Sequence, residues 1–487
     1  MSKDYAETGQ MQAYLSKIGS GLDEFLEFKH EDALAEGKNW REKLTEDLPI
    51  KGVGIDEVTT LLLDDVIANG SAVVRPGFTS FITAGGTTAS AIASTAASIG
   101  SPQRYTLNAF NHLEELSLGW LAELCGVPSM KGIYSSGGSV ANLIALGGAR
   151  QWAFEQQGHD VSALGVDRKT VIYASEECHH TIQRSAGVLG LGRKSVRLIP
   201  CDENKRMRPA SLLAAIKEDQ EAGILPVAIV ANVGSTNTGA IDPIREIGLI
   251  ARENKIWFHL DGAYGLPGIL DDRLTDLYGG LELADSVIVD PHKWLGACVG
   301  IAATFIRDRE ILHRAFTQEP ADYLEGSVNF QDGANAPTHS MDDFGIPYYD
   351  FGVELSAPAR GVAVWAMIKE IGAVGMSQRV RRHNDMAQQV AQRARSDDRL
   401  ELVLEPSLSI CCFRYVSSEV GDLNELNQRI HRRLVRGNKY IPSTTKVGDI
   451  LAIRPCFVGA RSETGDEDAL VDEVLRLGDE LVAEIGN

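Results

Sequence analysis

From about residue 130 to residue 310 the sequence alternates between two periods, and no other feature constrains the fold as tightly. Short apolar runs, TVIYAS from Thr170, VAIVANV from Val227, KIWFHLD from Lys255 and SVIVD from Ser286, are separated by stretches of helical spacing such as PASLLAAIKEDQEAG and IDPIREIGLIAREN. Strand-length apolar runs alternating with helical patterns imply βαβ units, and so a mainly parallel sheet covered by helices. The predicted fold class is α/β. A chain of 487 residues exceeds what one core normally serves. We divide it into a helical, amphipathic segment over 1–80, a sheet-bearing domain over 81–368 and a smaller α/β domain over 369–487. The last has strands expected at LELVLE, ICCFRYV and ILAIRPC. The Gly/Ala/Ser/Thr-rich stretch GFTSFITAGGTTASAIASTAASIGS suits an interface or a segment close to a ligand. Residues 316–352, rich in Gly, Pro, Asp and Asn without a clean period, read as a lid loop.

Charge and composition exclude several function classes. A net charge of −20 argues against nucleic acid or an anionic membrane as partner. No run approaches the roughly 18 apolar residues of a membrane span. The N-terminus lacks the apolar core of an export signal, so a cytoplasmic location is expected. Seven scattered cysteines without a C-x-x-C pair read as reduced thiols, not as a disulfide framework or zinc site.

The candidate chemistry lies where the predicted strands end. DSVIVDPHKWLG runs from a buried-looking strand into His292 and Lys293. An uncompensated ammonium there is costly, so Lys293 either reaches solvent or serves inside in altered form. In GIYSSGGSVANLIALGGAR a strand end meets a turn containing Gly138 and Ser139, succeeded by an apolar-periodic helix. Glycines permit close backbone approach, and free N–H groups at a helix start attract a phosphate. Taken singly, a glycine turn with Ser139 as N-cap explains the stretch as well. Asp261 ends KIWFHLD, where α/β sheets bind ligands, and an aspartate there also serves as a plain cap. His179 and His180 come after another apolar run. Adjacent residues in a strand point to opposite faces, so no shared metal is expected of them, and no metal site is expected at all. A phosphate cradle, a buried carboxylate, a flat ring and a lysine together fit one cofactor, pyridoxal 5′-phosphate. The lysine carries it as a Schiff base, and the aspartate keeps its ring nitrogen protonated.

These segments, with RPGFTSFIT, ECHHTI, NVGSTNTGAID and HLDGAYG, make the chain resemble the group II pyridoxal-phosphate-dependent amino-acid decarboxylases, the aromatic-L-amino-acid and glutamate decarboxylase-like family. The likeness covers most of 75–310, and ARGVAVWAMIKEIG and ILAIRPC extend it. It implies the aspartate-aminotransferase-like fold, fold type I, with a seven-stranded mainly parallel sheet and a small C-terminal domain. It further implies a homodimer with active sites between subunits. By resemblance, Lys293 is the Schiff-base lysine, His292 touches the phosphate, Asp261 pairs with the ring nitrogen and Ala263 packs beneath the ring. His179 stacks on it, Gly138 and Ser139 hold the phosphate, Thr236 lies near the cofactor, and Arg454 is able to pair with a carboxylate.

The implied reaction is loss of the α-carboxylate of an L-amino acid as carbon dioxide, then protonation to the amine. A lid tyrosine assists the resembled enzymes. Tyr323, Tyr348 and Tyr349 are available, and spacing from Arg360 and Trp365 favours Tyr348. For the substrate walls, Phe78, Phe81, Tyr105 and Phe110 suit a flat apolar side chain, while Arg104 is the one basic residue of that stretch. Equally, these aromatics serve to pack the N-terminal segment. We expect an aromatic amino acid ahead of glutamate, aspartate or diaminobutyrate. Oxidative decarboxylation to an aldehyde uses nearly the same residues. A transaminase, a sphingosine-phosphate-type lyase and an inactive paralogue fit less well, given the His-Lys pair, the absence of an anchor and the intact Lys293, Asp261 and His179.

Overall fold

A computed structural model describes residues 10–28, 39–101, 109–317 and 346–486. In chain order its strands are β1 (Phe78–Thr79), β2 (Lys131–Ser135), β3 (Thr170–Ser175), β4 (Val196–Ile199), β5 (Leu225–Asn232), β6 (Trp257–Asp261), β7 (Ser286–Val289), β8 (Ala302–Ile306), β9 (Leu400–Leu404), β10 (Cys412–Tyr415), β11 (Ile441–Val447) and β12 (Ile450–Arg454). Seven form one sheet in the order β2-β8-β7-β6-β5-β3-β4. The pairs β3–β4, β3–β5, β5–β6 and β6–β7 are parallel, and β8 runs against both its neighbours. Every residue of β3, β6, β7 and β8 is buried, because helices cover both faces. That is why β3, β6 and β7 read as continuous apolar runs. The runs at 170, 227, 255 and 286 match β3, β5, β6 and β7. Strands β4 and β8 carry no comparable pattern.

The second sheet has the order β1-β11-β12-β10-β9. LELVLE, ICCFRYV and ILAIRPC form β9, β10 and β12, while β11 was not anticipated. Nor was β1. It leaves the mainly helical N-terminal segment and pairs in parallel with β11, Phe78 opposite Ile441. This contact ties residues next to the glycine-rich stretch to the C-terminal sheet. The helical stretch Gly361–Ser396 is two helices that meet at a kink at Gly372, whose φ of 69° suits a residue without Cβ.

The N-terminal helices Met11–Leu26 and Ile55–Leu61 are amphipathic as read. Their apolar side chains Met11, Leu15, Leu22, Ile55 and Val58 are nevertheless substantially exposed. So are Ile92 and Ile99 on helix Thr88–Gly100. Of the lid over 316–352, residues 318–345, with Tyr323, lie outside the described residues, as do Arg104 and Tyr105. Among the described residues no helix is long and apolar enough to cross a membrane.

Candidate active site

The carboxyl ends of β2, β5, β6 and β7 converge on a cavity of about 370 Å³. Gly138, Ser139, His179, Thr236, Asp261, Ala263, His292 and Lys293 all line it. The parallel topology accounts for this meeting. Strand interiors buried on both faces leave little room for charge, so the charged residues of the cavity sit where the strands stop.

Lys293 lies four residues beyond the end of β7. Its Nζ is 3.2 Å from Asp290 Oδ2, and the side chain is only 22% exposed. The problem of an interior ammonium is thus met by a buried carboxylate that sequence reasoning overlooked. The signal was present, since Asp290 is the residue that ends SVIVD. The next side chain, Trp294, is fully buried. It stacks on Tyr264 with ring centroids 5.2 Å apart and donates its indole N–H to His383 Nδ1 at 3.0 Å. Burial drives the His383 pKa down to about 3, which keeps that nitrogen a bare acceptor. Lys293 is therefore held by a neighbour locked into the core. On the other side His292 donates Nδ1–H to the Ile301 carbonyl at 2.5 Å.

The helix Gly138–Glu155 opens onto the same cavity. Its N-cap is Gly137, at φ 150°, with no side-chain cap and no acidic residue in the first turn. Ser139 is thus not the N-cap. It sits inside the first turn, and the orphan N–H groups there have no side-chain acceptor. A Cβ on Gly138 would lie 2.7 Å from Asp290 Oδ2. The glycine is required for the helix start and the lysine's counter-ion to share this space. Two polar atoms of lining residues, Asp290 Oδ1 and Asn232 Nδ2, are buried without a hydrogen-bond partner. An anion-attracting helix start, a lysine, a carboxylate and unspent polar atoms around a space of this size fit pyridoxal phosphate.

Asp261 is 7% exposed. One carboxylate oxygen accepts the Ala263 N–H at 3.2 Å and the other accepts from Asn142 Nδ2 at 3.1 Å. His179 and His180 are not on a strand, contrary to expectation. They lie in the turn before helix Thr181–Val188, with ring centroids 4.1 Å apart. His179 Nδ1 is 2.9 Å from Thr181 Oγ1, and desolvation lowers its pKa.

Phe78 and Phe81 do not line the cavity, and three further expected residues lie elsewhere. Tyr348 is buried, donates its hydroxyl to Glu115 Oε2 at 2.5 Å beneath Arg309, and does not line the cavity. Phe110 packs on helix Thr88–Gly100 beside Ala93 and Ala97. Arg454 is buried and its guanidinium is committed to main-chain carbonyls, of Phe81 at 2.7 Å, Thr236 at 2.5 Å and Asn237 at 3.0 Å. It does not line the cavity. It joins the loop of Phe81 to the loop of Thr236.

Comparison with known proteins agrees with this geometry. The model of the pyridoxal-dependent decarboxylase conserved domain matches residues 56–416, well over half the chain. The chain belongs to this family. The decarboxylase is 29% identical to an aromatic-L-amino-acid decarboxylase of Bacillus atrophaeus over 91% of this chain and 89% of that protein. It is 28% identical to a 4-hydroxyphenylacetaldehyde synthase of Rhodiola rosea over 77% and 74% of the two chains. The structure of Oryza sativa TDC with PLP and tryptamine superposes with a TM-score of 0.88 at 23% identity, covering 98% of this chain and 99% of that one. The decarboxylase thus has the α/β fold of pyridoxal-phosphate enzymes and acts on an amino acid.

The packing around Lys293 generates a stability prediction. Replacing Trp294 by Ala removes a fully buried indole and should cost about 3–5 kcal/mol. The expected reading is a lower denaturant midpoint, and a midpoint equal to wild type would remove Trp294 from this role.

Proposed function

We propose that the enzyme decarboxylates an aromatic L-amino acid to its amine. The observation that carries this reading is the convergence of Lys293, Asp261, His179 and an uncapped helix start on one cavity. Lys293 Nζ holds the cofactor. First-turn N–H groups at Gly138 and Ser139, with His292, take the phosphate. Thr236 borders the cofactor as a wall of the cavity. Asp261, fixed by the N–H donors around it, keeps a proton on the ring nitrogen. The Ala263 methyl and the His179 ring, both lining the cavity, would flank the cofactor ring. When bound, pyridoxal phosphate supplies an electron sink for the pair left behind as carbon dioxide departs. The α-carbon then takes one proton in place of the carboxylate. Among the cavity-lining groups, Lys293 and His179 are suited to deliver it. Tyr348 is not, because its hydroxyl is committed to Glu115.

The preference for a flat apolar substrate rests on Phe81. The residue is 70% exposed although its backbone adopts φ 56°, a conformation costing about 1–2 kcal/mol in a residue with Cβ. Two bonds hold it there. Its N–H donates to Ser443 Oγ at 2.7 Å, and its carbonyl accepts from Arg454. The same guanidinium binds the carbonyl of the cavity residue Thr236, so Arg454 links the loop of Phe81 to a wall of the cavity. In this reading Arg454 acts on substrate through Phe81 and not by direct pairing. The similarity to an aldehyde synthase favours a second reading. In it the amino acid, oxygen and water give aldehyde, carbon dioxide, ammonia and hydrogen peroxide.

We propose further that the working unit is a homodimer in the cytosol. The exposed apolar residues of helices Met11–Leu26 and Thr88–Gly100 call for a covering surface. The seven cysteines are all free thiols, which suits a reducing compartment.

Four measurements test these assignments. Borohydride reduction of the holoenzyme should fix the cofactor on Lys293 and leave Lys293→Ala unlabelled; label on another lysine would overturn the assignment. Incubation with the common amino acids and diaminobutyrate, monitoring carbon dioxide, amine and peroxide, should show turnover of aromatic substrates without peroxide. Phe81→Ala should raise KM for them about tenfold or more, the worth of one buried aromatic contact. Turnover confined to acidic or diamino acids sinks the aromatic reading, and stoichiometric peroxide selects the aldehyde route. Light scattering of the active enzyme should give twice the chain mass, against which a fully active monomer would count decisively.

A further inference from the structure

Behind Asp261 lies a line of buried polar side chains that the roles above leave unused. Trp257, His259 and Ser286 belong to β6 and β7, Asn142 to helix Gly138–Glu155, and Thr181 opens helix Thr181–Val188. All are buried, His259 and Ser286 completely. Their distances form an unbroken chain. Trp257 Nε1 is 2.9 Å from Ser286 Oγ, which is 2.9 Å from His259 Nδ1. His259 Nε2 is 2.9 Å from Asn142 Oδ1. Asn142 Nδ2 is 3.1 Å from Asp261 Oδ2 and 3.3 Å from Thr181 Oγ1, and Thr181 Oγ1 is 2.9 Å from His179 Nδ1.

Donor and acceptor chemistry gives this chain one direction. An indole N–H only donates, so Ser286 Oγ accepts from Trp257. Burial lowers the His259 pKa to about 4, so the ring is neutral and carries one proton. A carbonyl oxygen only accepts, so that proton is on Nε2 and is donated to Asn142 Oδ1. His259 Nδ1 is then bare and accepts the Ser286 hydroxyl proton. With its oxygen engaged, the Asn142 amide turns both N–H bonds towards Asp261 and Thr181. Thr181 Oγ1, having accepted one of them, donates its own proton to His179 Nδ1, where the Thr181 backbone N–H also points at 3.4 Å. Reversing the amide would set Asn142 Oδ1 against the Asp261 carboxylate, two acceptors with no proton between them.

We propose that His259 and Asn142 are positioning residues. They form a one-way relay that fixes, from a single amide, both the Asp261 carboxylate and the His179 tautomer with its proton on Nε2. The inference rests on the reading of Asp261 as partner of the cofactor's ring nitrogen.

The test uses holoenzyme loaded with pyridoxal phosphate labelled with ¹⁵N in the ring. Its readouts are the ring-nitrogen chemical shift and the cofactor Kd, with circular dichroism as the check on folding. His259→Leu should move the shift towards the unprotonated value and raise Kd about tenfold, a loss of about 1.4 kcal/mol. His259→Gln, whose amide N–H reaches the place of Nε2–H, should restore both. Asn142→Ser, which keeps a small polar side chain but cannot reach Asp261, should repeat the leucine result and serves if His259→Leu fails to fold. A wild-type shift and Kd in folded His259→Leu or Asn142→Ser overturns the relay, as does a glutamine variant indistinguishable from leucine. Asp261→Asn separates the two levels. If it moves the shift while the relay variants do not, the relay alone falls. If it leaves the shift unchanged, the assignment of Asp261 falls.

Discussion

A cation at the carboxyl end of a strand buried on both faces must find an anion, and Lys293 finds Asp290. Their 3.2 Å contact organises much of what surrounds it. The carboxylate is itself almost wholly buried, and it leaves room for the start of helix Gly138–Glu155 only because residue 138 has no Cβ. The same glycine turn leaves the helix without a side-chain cap, so its first N–H groups remain available beside the lysine. A larger residue at 138 would disturb the counter-ion and the phosphate cradle together. Trp294 completes the arrangement, since a side chain locked against Tyr264 and His383 prevents the adjacent lysine from swinging out.

A second constraint is hydrogen-bond direction. Asp261 sits between strands and helices that offer it donors, and those donors are set by groups still deeper in the protein. In an interior of low dielectric such a line is stabilising only if every member is satisfied. That requirement accounts for the burial of Trp257, Ser286 and His259 at places that otherwise look like ordinary core.

Membership of the pyridoxal-dependent decarboxylases rests on features around the cofactor, whereas substrate choice belongs to the walls. The two meet in Arg454. Its guanidinium binds main-chain carbonyls on both sides, so a strained, exposed Phe81 is coupled to a loop of the cavity. Relatives that act on different substrates or deliver different products are compatible with one central constellation, because the walls are built from loops and chain ends remote in sequence.

By itself, the sequence determined the α/β class, the parallel core and the main residues of the cavity. Buried parallel strands are written as continuous apolar runs, and the residues just after each run fall at the ligand-binding edge. Lys293, Asp261 and the Gly138 turn were legible for that reason. Strands β4 and β8 were not, since they lack a distinctive period. Only tertiary structure decided the rest. Which anion faces Lys293, where the helix is capped, whether Tyr348 reaches the cavity and what Arg454 binds depend on side chains distant in sequence. Sequence spacing pointed Tyr348, and family resemblance pointed Arg454, at the active site, yet Glu115 and three carbonyls claimed them. A buried hydroxyl or guanidinium goes to whichever partner satisfies it, and that partner is fixed only when the chain has folded.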